Sequence, residues 1–102
     1  MPSLTVLYTK PASDADAFVE EYKNDHVPIA EKFPKMASHS TTVFSGTPRG
    51  GDAPYHVMFH GVWDSQDDMN EAMGDPSMME ASKHAMGMTQ KYGNSAEMLL
   101  GS

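Results

Sequence analysis

Residues 55–63 read YHVMFHGVW, an almost unbroken run of aromatic, β-branched and other apolar side chains. Such a run suits a strand covered by neighbours, and it predicts a central position in a sheet. On its N-terminal side SGTPRGGDAP (45–54) is rich in glycine and proline and reads as a hairpin loop. Before that loop, ASHSTTVF (37–44) reads as a strand of modest propensity. Near the start of the chain SLTVLYT (3–9) alternates with period two, which puts Leu4, Val6 and Tyr8 on one face and Thr5, Leu7 and Thr9 on the other. SAEMLL (95–100) closes the chain as a short last strand.

Two helical stretches lie between these strands. The first starts near Asp14, where Ser13 and Asp16 stand at capping-box spacing, and runs through Phe18, Tyr22 and Ile29 to about Phe33. The second comes in two pieces. DSQDDMNEAMG (64–74) has Asp64 or Ser65 as its cap and ends at Gly74; the next piece restarts with Asp75 as cap and Pro76 at the first helical position. In that piece Met78, Ala81, Ala85, Met88 and Tyr92 share one arc. The order β-α-β-β-α-β predicts an α+β, ferredoxin-like fold: an antiparallel four-stranded sheet with the helices on one face, in a single domain over residues 1–102. The other sheet face, with Met58 and Val62, is left bare, and a second copy of the chain covers it most simply, giving a homodimer.

Composition narrows the function. Fourteen acidic residues against seven basic ones give a net charge of −7, which repels a phosphate backbone and argues against a nucleic-acid partner. No window approaches the roughly 20 apolar residues of a membrane span. The opening MPSLTVLYTKP lacks a basic segment followed by a long apolar one, so a soluble, cytoplasmic protein with no membrane partner is expected. The chain has no cysteine, which removes disulfides, thiolate nucleophiles and cysteine-bound metals.

The chemistry-bearing feature is DHVP, Asp25 to Pro28, inside the first helix. On a helical wheel His26 falls at the edge of the buried stripe made by Phe18, Tyr22, Ile29 and Phe33. Pro28 has no N–H and pushes Val27 away from helical dihedrals, so a break there holds His26 at a rim. The bland alternative is a histidine satisfied by a carbonyl freed at that break. Burial lowers the pKa of such an imidazole and a nearby carboxylate raises it. His56 and His60 share a strand face roughly 13 Å apart and cannot share a metal ion. HAMGM (84–88) has a soft-metal composition, but Met88 belongs to the apolar arc and His84 to its polar flank. No metal site is expected.

With this element order and DHVP in the first helix, the chain resembles the EthD-like family of dimeric α+β barrel proteins, related to methylmuconolactone isomerases. The most specific shared element is acidic-His-x-Pro with a second proline six residues on, here Asp25, His26, Pro28 and Pro34. The resemblance implies that His26 lines a pocket between helices and sheet. Many relatives continue as Gly-Leu-x-x-Tyr after the second proline, where this chain has Lys35, Met36, Ala37, Ser38 and His39. An inward His39 would pair with His26 as acid and base. The walls of an apolar, substrate-binding cleft are expected from Tyr8, Tyr22, Phe33, Phe59 and Trp63.

The function implied is that of a small enzyme without a cofactor, in which His26, assisted by His39 or Tyr8, moves a proton on a small aromatic, lactone or polyketide-like compound in an isomerisation, elimination or cyclisation. The competing reading is a non-catalytic ligand-binding or accessory protein in a catabolic pathway such as ether degradation. A barrel binding haem or copper through histidine and methionine is the third.

Overall fold

The computed structural model describes residues 1–102. Four strands, β1 (Ser3–Thr9), β2 (Met36–Val43), β3 (Tyr55–Trp63) and β4 (Ala96–Gly101), form one sheet in the order β2-β3-β1-β4. β1 runs antiparallel to both β3 and β4, and β2 runs antiparallel to β3. The strands joined by each helical crossover are therefore parallel and separated by a third, which is the ferredoxin-like arrangement expected from the element order. The apolar β3 is central, between β2 and β1.

Period-two alternation places the core. Leu4, Val6 and Tyr8 of β1 and Val57, Phe59 and Trp63 of β3 are buried on the face beneath the helices. Opposite pairing carries the same face outward to Thr41 of β2 and Met98 of β4, which stand across from Phe59 and Val6. On the other face Leu7, Met58 and Val62 are only half-buried, and Leu99 of the edge strand is half-exposed. No helix is long and apolar enough to cross a membrane.

The helices are α1 (Ala15–Glu21), a π-helical turn (Tyr22–His26), α2 (Val27–Ala30), α3 (Gln66–Met73) and α4 (Pro76–Tyr92). Ser65 caps α3 and Asp75 caps α4, with Pro76 at its first position, where a missing N–H costs nothing. Met78, Ala81, Met88 and Tyr92 bury the expected arc of α4, with Ala85 packed beside them. Two local expectations are corrected. The cap of α1 is Asp14, not Ser13: Asp14 takes a left-handed conformation at φ 43°, which aspartate tolerates, and its Oδ1 accepts the Ala17 N–H at 3.1 Å. Val27 remains helical at φ −57°, ψ −42°, so Pro28 does not break the helix there.

The chain accommodates Pro28 one turn earlier. The Val27 N–H donates to the Tyr22 carbonyl five residues back, widening the turn over Tyr22–His26. A proline at position 28 clashes with the carbonyl four residues before it, and the wider turn moves that carbonyl aside. The extra residue also turns the helix face. Phe18, Tyr22, His26 and Ala30, spaced by four, are all buried, while Ile29 is displaced to half-burial. A regular α-helix at this spacing would drift off the core.

Candidate functional site

The π turn brings His26 from the edge of the stripe to its centre, where the residue is 6% exposed. Two phenol rings and one further imidazole surround it. Tyr22 stacks against it with centroids 5.3 Å apart, and Tyr8 meets it edge-on from β1. The Tyr8 hydroxyl lies 3.3 Å from His26 Nε2, a long hydrogen bond. On the other ring nitrogen, His26 Nδ1 lies 2.9 Å from Nδ1 of His84 on α4.

Burial pushes His26 down to about 4, and the neighbouring His84 adds to the shift, because a second positive charge disfavours protonation. His26 is therefore neutral at ordinary pH. Burial moves the tyrosines the other way. Tyr8 is raised well above the usual phenol range by desolvation and then by Tyr22. Tyr22 is pushed up to about 12 by burial, against a weak opposing contact with Thr41; its hydroxyl is buried without a well-formed hydrogen bond. Both phenols stay protonated, so Tyr8 is a donor available to His26 or to a ligand.

His26, Tyr8 and Ser82 form the polar part of a largely hydrophobic cleft between α2, α4 and the sheet. Ala30, Ala81, Ser82 and Ala85 keep the helix walls short, and Phe33 and Phe59 close one side. Met78 and Met98 complete the rim with flexible thioethers, side chains that repack around irregular shapes. The free volume of the cleft is about 30 Å³, space for a water or two before any side chain moves.

The residues singled out in the sequence separate into groups. Tyr8, His26, Phe33 and Phe59 line the cleft. Tyr22 lies behind His26 and orients it instead of facing the cleft. Trp63 is fully buried away from the cleft, its indole N–H donating to the Pro34 carbonyl at 3.0 Å. His39 does sit on the helix-facing side of β2, opposite Gly61, but it stacks on Phe59 and its Nε2 lies 3.7 Å from Glu31 at the surface. The imidazole that meets His26 is His84, which sequence reasoning left on a polar flank. Its signal was there: on the α4 wheel His84 borders the arc beside Met88, by roughly 40°.

Fold and site define a ferredoxin-like α+β domain with a buried histidine facing an apolar cleft. The profile of the EthD domain family matches residues 10–91, and the chain belongs to this family. Among solved structures, an EthD family protein of Bacillus halodurans C-125 is similar at 27% identity with a TM-score of 0.87, covering 100% of this chain and 97% of the other. A dimeric ferredoxin-like protein of unknown function from Thermobifida fusca YX matches at 11% identity and TM-score 0.70, covering 99% and 89%. SnoaB of Streptomyces nogalater, described as a cofactor-independent oxygenase, matches at 15% identity and TM-score 0.62, covering 99% and 91%. These last two likenesses show the shared fold. No curated protein matches the sequence.

Proposed function

We propose that the protein is a small cofactor-independent enzyme in which His26 transfers a proton on a small aromatic, lactone or polyketide-like compound, in an isomerisation, elimination or cyclisation. The observation that carries this reading is a neutral, buried imidazole beside a protonated phenol in an apolar cleft. Environments that drive two titratable groups apart mark out a base and an acid. His26 Nε2 accepts a proton from the ligand while Tyr8 donates a hydrogen bond to the oxygen on which charge develops. That a protein of this fold is described as a cofactor-independent oxygenase supports chemistry run by side chains alone. The half-buried apolar patch on the open sheet face and the dimeric fold neighbour support a homodimer.

The test is a panel of small lactones and phenolic ketones in D2O, followed by proton NMR for loss of carbon-bound hydrogen. At least one compound exchanges faster with the protein than in buffer, and His26→Gln lowers that rate by roughly 10² to 10⁴. A variant that exchanges as fast as the parent overturns the assignment. The small volume of the cleft favours a second reading, an accessory ligand-binding protein. Line broadening of a panel compound with no exchange above buffer selects it.

A further inference from the structure

We propose that His26 and His84 work as one base, with His84 taking over from His26 the positive charge of the proton that enters at the cleft. The proposal rests on the acid–base reading of His26 and adds a second residue, 58 positions away in sequence, to it. Geometry comes first. The two imidazole planes are inclined by only 22°, yet their centroids are 5.1 Å apart while the two Nδ1 atoms are at 2.9 Å. Rings stacked face to face would not join nitrogen to nitrogen at that separation. The rings lie edge to edge in nearly one plane, the direction in which an sp2 nitrogen lone pair accepts a proton.

An Nδ1-to-Nδ1 contact holds one proton, and this fixes the rest. When His26 Nδ1–H donates to His84, His26 Nε2 is a bare lone pair that accepts the Tyr8 hydroxyl or a ligand proton. A proton arriving at His26 Nε2 releases the Nδ1 proton to His84 Nδ1. His26 is left neutral with its proton on Nε2, and His84 becomes the imidazolium. One proton enters at the cleft, one crosses between the rings, and the charge ends on His84.

That endpoint is the more favourable one. A positive charge on His26 is penalised by burial, which makes His26 alone a weak base at neutral pH. His84 is half-buried, outside the cleft lining, and its charge favours ionisation of Glu21. The Glu21 carboxyl is held below the usual carboxylate range chiefly by its bond from Lys91, then by the Tyr92 hydroxyl and His84. The other charges around the pair are Asp25, exposed on the π turn, and Lys83 and Glu80 on α4, the latter 3.5 Å from Lys32. His84 touches no ligand in this scheme and is a positioning residue acting through His26.

The tautomer of His26 tests this without any ligand. In protein labelled with ¹⁵N-histidine, long-range proton–nitrogen NMR distinguishes the Nδ1–H from the Nε2–H form of each ring. When the pair takes up its first proton as pH is lowered, His26 stays neutral but its tautomer inverts, and the Nε2–H to Nδ1–H ratio rises by at least roughly tenfold. In His84→Gln the amide carbonyl accepts the Nδ1–H but takes no proton, so the inversion disappears. A His26 tautomer that stays fixed while the pair in the parent protein takes up its first proton overturns the relay, and this decides the matter even if the variant fails to fold. Inversion without exchange on any panel compound overturns the enzyme reading instead and leaves the coupling standing.

Discussion

Two hydroxyl–imidazole pairs lie on opposite faces of the same sheet. Beneath the helices the Tyr8 hydroxyl stands 3.3 Å from His26; on the open face the Thr5 hydroxyl stands 3.1 Å from His60. Both pairs link β1 to a histidine, at comparable distances. What separates them is the surroundings. Tyr8 and His26 are buried among Phe18 and Tyr22, and His26 has His84 on its second nitrogen. Thr5 and His60 are half-buried on the face away from the helices. A hydrogen bond of given length thus says little about chemistry until burial and the remaining ring nitrogen are known.

The largest expected effect breaks the pairs themselves. Tyr8→Ala empties a 1% exposed aromatic site touching Phe18, Tyr22 and His26, and is expected to cost about 3–5 kcal/mol. Thr5→Ala removes a partly solvated hydrogen bond and is expected to cost about 1 kcal/mol or less. Urea denaturation of both variants measures the gap; equal losses would mean that the two faces are equally packed.

A smaller effect comes with pH. In the unfolded chain His26 takes up a proton near its ordinary value of 6.5, whereas the folded chain resists until about 4. The unfolded state therefore binds more protons between these values, and stability falls as pH falls from 6.5 towards 4, being complete above 6.5. Linkage sets an upper limit of about 3 kcal/mol. Urea midpoints across this window should flatten in His26→Gln. An unchanged slope in His26→Gln would assign the acid sensitivity to the carboxylates.

The sheet was legible because its signals are local. Alternation in residues 3–9 and the apolar run in 55–63 each define a strand and its buried face without reference to the rest of the chain. Ser65, Asp75 and Pro76 likewise carry their own capping chemistry. The depth of His26 was only half legible. A wheel of regular pitch leaves it at an edge, and the π turn that centres it is a response of the helix to Pro28 and to packing on Tyr8. The partner of His26 was legible only faintly, in the place of His84 at the border of the α4 arc, and not in the positions near His26. His39 lies close in sequence, but strand register sends it to Phe59 and Glu31, while the crossover through α4 delivers His84.

The smallest contrast tests the same two faces with a single methyl group. Gly61 is buried in central β3 on the helix side, and a Cβ there would lie 2.9 Å from the Met36 sulfur and 3.1 Å from the Phe59 ring. Methionine can yield, but Phe59 is held by His39 on one side and by Phe33 edge-on, so its ring has little room to retreat. Gly61→Ala is therefore expected to cost about 1–3 kcal/mol and to disturb the cleft wall that Phe59 forms. Gly101, on the exposed edge strand and the open face, has the Ser3 hydroxyl 3.0 Å from its would-be Cβ. That hydroxyl rotates freely, and Gly101→Ala should change stability by no more than about 0.5 kcal/mol. Denaturation midpoints of the two alanine variants compare them directly. Equal costs would show that the Ser3 hydroxyl yields no more easily than the Phe59 ring.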